Sequence, residues 1–352
     1  MNFIFNIVSL SLSVITKRLP YPVAKKTFFG LLNRLETIEN KLFTYHQRPV
    51  FASDVNFYRN HHENNIATTA IVLQGPIIHN KSFTLETVKQ YKRNYPHSII
   101  IVSTWKNQDE KQLSLIEKEG VYVLLNSQPE KSGPLNINYQ IASTIKGINF
   151  AKSLGAEFVI KTRCDQRFYA PNVLEYLYAL ILTFPLPLKF SQKLKYRIVS
   201  PNFTTLKYRT YGIADMIMYG HVDDMLLYWG ADFDFREKEN TSNISIGDYA
   251  KLRYAETYLC TEFLKKIEWE IQWTFQDSWE AYKNLFIIID YTSLDLFWLK
   301  YNVHEEYRFK YYQDHTYELF TFSDWLTLQH NVLVAKKDSE LISIEQEGRN
   351  FY

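Results

Sequence analysis

Glu157-Phe158-Val159-Ile160-Lys161-Thr162-Arg163-Cys164-Asp165-Gln166-Arg167 joins an apolar run to a dense polar cluster. Phe158-Val159-Ile160 is aromatic and β-branched, the composition of a buried strand. Side chains alternate across a strand. A strand carried to the end of the stretch therefore puts Lys161, Arg163, Asp165 and Arg167 on one face and Thr162, Cys164 and Gln166 on the other. Three cations around one carboxylate suit an anion such as a diphosphate, with the carboxylate left for a metal or a sugar hydroxyl. The plainer alternative is a strand that runs out into a solvated, salt-bridged loop.

What precedes the stretch bears on that choice. Thr68 to Leu73 reads as a strand stopped by Gln74-Gly75-Pro76, and residues 82 to 95 as a helix with Leu85, Val88, Tyr91 and Tyr95 inward. Ser98 to Thr104 is a second strand. Residues 108 to 119 are a helix closed by Gly120, and Val121 to Leu125 is a third strand. A long helix over 136 to 154 puts Ile137, Ile141, Ile145, Ile148 and Leu154 inward, and the quoted stretch is the fourth strand. This alternation predicts an α/β fold, a mostly parallel sheet covered on both faces. Ligands of such sheets sit beyond the carboxyl ends of the strands. Polar residues occur at those ends: Gln74-Gly75, Ser103-Thr104-Trp105, and Arg163 to Arg167. There is no GxGxxG after the first strand, no GxxxxGK[ST] and no GxSxG, which disfavours a dinucleotide fold, a P-loop and a hydrolase elbow.

The composition bounds the function. The chain has 352 residues, 46% hydrophobic and 22% charged, which is ordinary for a globular protein. Forty basic against 38 acidic residues give +2, so nothing points to nucleic acid. Aromatics are abundant, with 26 Tyr and 24 Phe, and Tyr-rich surfaces often stack on sugars or bases. Two cysteines, Cys164 and Cys260, make neither a disulfide framework nor a zinc site, and a reducing compartment is the simpler assumption.

Leu73-Gln74-Gly75-Pro76-Ile77, Ser103-Thr104-Trp105, Asn136-Ile137-Asn138-Tyr139-Gln140-Ile141-Ala142-Ser143-Thr144 and Lys161 to Arg167 occur in that order. Together they resemble the WavE family of lipopolysaccharide synthesis proteins, over residues 66 to 330. The resemblance implies a three-layer GT-A sandwich of the nucleotide-diphospho-sugar transferases. It also implies a nucleotide-sugar donor and a lipopolysaccharide or related surface-glycan acceptor. Expected donor ligands are Gln74, Gly75, Pro76, Ser103, Thr104, Trp105, Asn138, Gln140, Lys161, Arg163 and Arg167. GT-A enzymes commonly carry Asp-x-Asp at the end of this strand, whereas here the triplet is Asp165-Gln166-Arg167. Asp165 could hold Mg²⁺ or Mn²⁺ if phosphates and a distant residue complete the shell. Alternatively, Arg163 and Arg167 neutralise the leaving diphosphate without metal. The expectation taken forward is the metal, on Asp165.

Further along, Ile198-Val199-Ser200 reads as a strand. Tyr211 to Gly220 resembles the GT-A segment that carries an Asp, here Asp215, toward the acceptor pocket. Asp223 and Asp224 open a helix, as structural caps would. Arg253 to Leu259 resembles the family's Glu-containing segment, so Glu256 is a candidate base with Glu262 behind it; a plain helix-start acid is the alternative. Asp165, Asp215 and Glu256 are thus the expected catalytic residues. Phe286 to Asp290 reads as a late strand. His304 and His315 lie in an aromatic-rich region, where a lone His is more often a satisfied surface or core residue than a ligand.

Residues 1 to 16 carry no charge, and the polar Asn2, Asn6, Ser9, Ser13 and Thr16 form a narrow stripe on an apolar helix. The run is short of a spanning length. Lys17, Arg18, Lys25, Lys26 and Arg34 follow. The pattern predicts a peripheral anchor on the cytoplasmic face of an inner membrane, or else a helix packed on the protein itself. A second helix is expected over 28 to 44, with Leu31, Leu32, Leu35, Ile38 and Leu42 on one face. The expected organisation is an N-terminal helical segment (1–60), a nucleotide-sugar-binding part (66–240) and an acceptor-side part (241–352). The rival readings are a sugar-nucleotide nucleotidyltransferase, which would want a glycine-rich loop after the first strand, and a non-catalytic glycan-assembly protein.

Overall fold

The topology of the central sheet places the candidate site. In the computed structural model, residues 19–39, 42, 47–55, 67–239, 244–300 and 318–330 are described. Residues 1–16, His304 and His315, with the expectations attached to them, lie outside them. The chain divides into two units, Met1–Arg48 and Pro49–Tyr352. The first contains helix α1 (Tyr21–Glu39), which buries no residue. Pro22 is tolerated in its first turn, where a backbone N–H would have no helical partner. The helix starts earlier than expected and ends before Leu42.

The second unit opens with β1 (Thr69–Gln74), α2 (Phe83–Asn94), β2 (Ile99–Trp105), α3 (Glu110–Lys118), β3 (Tyr122–Asn126), α4 (Ile137–Ser153) and β4 (Phe158–Arg163). The face expected inward on α2 is buried at Leu85, Val88, Tyr91 and Tyr95. A short β5 (Gln166–Phe168) and α5 (Val173–Thr183) follow, then β6 (Ile198–Pro201), β7 (Met218–His221) and α6 (Val222–Trp229). The remaining elements are α7 (Ile246–Lys251), α8 (Glu256–Lys266), α9 (Phe275–Leu285), β8 (Phe286–Ile289), β9 (Leu296–Trp298) and α10 (Phe322–Gln329).

Seven strands form one sheet in the order β3-β2-β1-β4-β7-β6-β8. Only β7 runs antiparallel to its neighbours β4 and β6. The mostly parallel α/β sheet expected from the alternation is therefore present. From β1 the chain moves outward through β2 to β3, then returns past β1 to β4. Right-handed crossovers put the two outward connections, α2 and α3, on one face and the returning α4 on the other. The direction reverses between β1 and β4, which opens a crevice at their carboxyl ends, where ligands of such sheets bind. Gln74 stands opposite Arg163 there. Because β7 is antiparallel, its start lies at that same edge, with Met218 opposite Lys161. Asp215, three residues earlier, therefore approaches the crevice.

The quoted stretch does not stay one strand. β4 ends at Arg163, Cys164-Asp165 makes a turn, and β5 leaves to pair with β9 in a separate two-stranded ribbon, Gln166 opposite Trp298. The turn breaks the side-chain alternation, so the single face shared by Lys161, Arg163, Asp165 and Arg167 does not form.

Candidate functional site

At the crevice, Arg163 and Asp165 form a fork. Arg163 Nε donates to Asp165 Oδ1 at 2.8 Å and Nη2 to Oδ2 at 2.9 Å, and the guanidinium lies 5.2 Å from the Trp298 ring centre. Burial works to raise the Asp165 pKa. The Arg163 fork and a hydrogen bond from Trp298 nevertheless hold it below the usual carboxylate range. Both side chains keep some exposure, 19% for Arg163 and 13% for Asp165. Gly75, just past β1, has φ +104°, a conformation that favours glycine, and a Cβ there would meet nothing within 4 Å. The neighbouring Pro76 is exposed.

Behind the fork lies a buried charge cluster. Lys161 is fully enclosed. Its ammonium donates to the Asp215 and Met216 carbonyls and sits 4.4 Å from the Trp229 ring centre. Burial pushes it down to about 7, against the pull of Asp215. Asp215 is pushed up to about 6, first by burial and then by the charge of Glu256, with Lys161, Arg163 and Arg209 opposing. Its Oδ2 is buried and has no hydrogen-bond partner among the described residues. A buried carboxylate oxygen left unpaired is unusual, and such perturbed groups concentrate at functional sites.

Glu256 opens α8 and is the more accessible carboxylate, with 12% of its side chain exposed. Thr204 donates to its Oε1 at 3.0 Å, and Arg209 stands 3.6 Å from Oε2. The backbone leading to it is strained. Arg253 has φ +55° and Ala255 φ +44°, positions that L-residues rarely adopt. Lys161, Arg163 and Arg209 thus face Asp165, Asp215 and Glu256.

Several expected donor ligands are committed elsewhere. Gln74 Oε1 accepts from Ser143 Oγ at 2.9 Å. Ser103 Oγ donates to the Ser143 carbonyl at 2.6 Å and accepts from Asn126. Trp105 is buried edge-on against Tyr139. Asn138 holds the Asp234 backbone from both sides, at 2.7 and 2.8 Å. Thr104 Oγ1 and Gln140 Oε1 are buried without a partner among the described residues. Lys161 lies beneath the site rather than on its surface. Glu262 is engaged by Arg253 and by Lys265 on the flank of α8. Asp224 caps backbone instead, accepting from Lys195 and Tyr196 N–H groups at 2.9 Å. Arg209, Thr204, Trp229 and Trp298 carried no local signal and join the site only through the fold.

Arg167 is the clearest correction. It is 1% exposed. Nε donates to Thr87 Oγ1 at 2.8 Å, Nη1 to the Val50 carbonyl at 2.9 Å and the Tyr169 hydroxyl at 3.0 Å, and Nη2 to the Phe83 carbonyl at 2.9 Å. It staples β5 to α2 and has no part in a diphosphate site. Arg167→Met is expected to destabilise the fold by about 3 kcal/mol or more, because buried carbonyls lose charged donors. Urea unfolding would measure it, and a loss under about 1 kcal/mol would contradict the staple.

The described residues around Asp165 do not make a divalent-metal site. Asp165 gives both oxygens to a cation, and among the described residues no three His, Cys, Asp or Glu side chains gather to hold an ion. The donor set is that of an arginine-held carboxylate.

Residues 69–344 match the family described as WavE lipopolysaccharide synthesis. No curated protein matches the chain. Among solved structures, a cytidylyltransferase from Leptospira borgpetersenii serovar Hardjo-bovis (strain JB197) is similar at 13% identity and TM-score 0.33, covering 81% of this chain and 100% of that one. The 4-diphosphocytidyl-2C-methyl-D-erythritol synthase from Anaerococcus prevotii DSM 20548 is similar at 10% identity and TM-score 0.34, covering 76% and 99%. A provisionally assigned nucleotide-diphospho-sugar transferase from Desulfovibrio desulfuricans G20 is similar at 9% identity and TM-score 0.31, covering 58% and 77%. Likenesses this distant say nothing of the activity. The family match spans most of the chain: the protein belongs to the WavE lipopolysaccharide synthesis family.

Proposed function

We propose that the protein is a glycosyltransferase that moves a sugar from a nucleotide-diphospho-sugar to a lipopolysaccharide or related surface-glycan acceptor. The observation that carries this reading is the pairing, at one switch point, of an accessible arginine with two neighbouring carboxylates, Asp215 and Glu256. The Arg163 fork leaves Nη1 uncommitted among the described residues, available to a phosphate oxygen. Glu256 accepts the acceptor hydroxyl proton as the new bond to the sugar forms. The bond from the sugar to the diphosphate breaks, and the leaving nucleoside diphosphate places its charge against Arg163. Asp165 orients the guanidinium and is a positioning residue.

The test is calorimetric titration of purified protein with a panel of nucleotide-diphospho-sugars, followed by donor hydrolysis without acceptor. Binding of at least one donor, with release of its nucleoside diphosphate, is expected. A nucleotidyltransferase would instead consume a nucleoside triphosphate and a sugar phosphate and release pyrophosphate. That product, or no binding across the panel, would overturn the reading.

Support for work at a membrane surface comes from α1. Among the described residues no helix is long and apolar enough to cross a membrane. Yet Phe28, Leu31, Leu35 and Ile38 are exposed on α1, alongside Lys25, Lys26 and Arg34. Such a helix suits the interface of an anionic leaflet. Each cation contributes about 1 kcal/mol near that surface, so replacing all three by Gln is expected to weaken binding to anionic vesicles about 100-fold. Removing residues 1–39 should abolish co-sedimentation with those vesicles. Equal co-sedimentation of the full and truncated chains would refute the anchor.

A further inference from the structure

Loop 231–239 follows α6 and presents two phenylalanines to solvent. Phe233 is 38% and Phe235 61% exposed, with ring centres 6.3 Å apart in an edge-to-face pair. Asp234, between them, points the other way and is 4% exposed.

The loop is held rigidly in that pose. The Asp234 N–H donates to Asn138 Oδ1 at 2.7 Å, and its carbonyl accepts from Asn138 Nδ2 at 2.8 Å. Its carboxylate takes a fork from Arg236, at 2.9 and 2.7 Å. The Tyr258 hydroxyl donates to the Asp232 carbonyl at 3.0 Å. Gly133 has φ +68°, and a Cβ there would lie 2.7 Å from the Asp234 carbonyl oxygen, so the close approach requires glycine. Two exposed rings fixed by this many backbone contacts are pre-organised for a ligand.

The loop is tied to the chain on either side of the proposed base. Arg236 donates from the loop to the Leu252 and Arg253 carbonyls at 2.9 Å, three to four residues before Glu256. Tyr258 lies two residues after it. The rings therefore stand on a loop anchored to the segment that carries Glu256. Their neighbours Asp232, Arg236, Glu237 and Lys238 are all exposed. Hydrocarbon would want a contiguous apolar surface, which these charges interrupt. A sugar ring has an apolar C–H face and a polar rim, which matches two rings set among charges.

We propose that Phe233 and Phe235 form a stacking platform for the acceptor glycan, a proposal that rests on the transferase reading above. The probe is a deacylated core oligosaccharide prepared from rough-type lipopolysaccharide, titrated into the wild type and the Phe233→Ala/Phe235→Ala variant. Both rings are exposed, so the variant should fold normally. The wild type should bind the oligosaccharide and the variant at least about tenfold more weakly, because both stacking rings are lost. Donor binding should be equal in both. Equal oligosaccharide affinity in the two proteins, no oligosaccharide binding by the wild type, or binding of the acylated form alone would overturn the platform. Failure of the transferase reading shows separately, as a wild type that binds the oligosaccharide but no nucleotide sugar.

Discussion

Arg163→Ala is expected to lower kcat/KM for transfer by about 10² to 10³, the usual loss when a charged donor to a leaving group or oxyanion is removed. Arg163 ends β4 at the switch point, opposite Gln74, with its guanidinium fixed by Asp165 and the Trp298 ring. A guanidinium held on one edge brings its remaining N–H groups to a phosphate with little ordering penalty. Arg163→Lys keeps the charge but loses the fork, and should recover only a minor part of the rate. Asp165→Asn keeps a hydrogen-bond acceptor beside Arg163 and should lose less than Arg163→Ala, about tenfold, consistent with an orienting role. Because Asp165 is committed to a cation, activity should persist in EDTA. Loss in EDTA with recovery in Mn²⁺ or Mg²⁺, together with an Asp165→Asn enzyme as damaged as Arg163→Ala, would reverse the assignment and return Asp165 to a metal. An Arg163→Ala enzyme with wild-type kcat/KM and unchanged affinity for the nucleoside diphosphate would remove the residue on which the donor site is built.

The sheet was legible because its strands are apolar runs bounded by breakers, and because α2 and α4 repeat apolar residues at helical spacing. The order and direction of Gln74, Trp105 and Arg163 at one edge follow from that alternation. What was not legible is where pairing stops. β4 is flanked by β1 and β7, and both partners run out near Arg163. Beyond that point the chain turns and finds a new partner in β9, more than 120 residues later. Nothing local in Cys164-Asp165 announces the turn. Arg167 was misassigned for the same reason. Its acceptors on Phe83, Thr87 and Val50 lie 84, 80 and 117 residues away. Likewise Glu256 could be picked out as a helix-start acid, but Thr204, 52 residues distant, and Arg209 give it a site to act in.

Glu256 and Asp215 divide the acid–base work in a way that pH can expose. Glu256→Gln is expected to lower kcat by about 10² to 10⁴, the range for loss of a general base. Burial and the Glu256 charge push Asp215 up to about 6, with Lys161, Arg163 and Arg209 opposing. In the wild type, protonating Asp215 withdraws a negative charge from the site, so kcat/KM should fall as pH drops through about 6 and level off above it. Asp215→Asn removes one of the two negative charges. The group that titrates near 6 is then gone, so the acid limb at that pH should disappear. A negative charge that assists proton removal at the site is lost as well, so the plateau should fall by about tenfold. A merely structural Asp215 would alter stability and leave the limb where it was. An active Glu256→Gln enzyme with an unshifted profile in Asp215→Asn would separate both residues from proton transfer. If Asp215→Asn is instead the inactive variant and Glu256→Gln retains most of the rate, the roles exchange: Asp215, whose Oδ2 has no partner among the described residues, takes the proton itself.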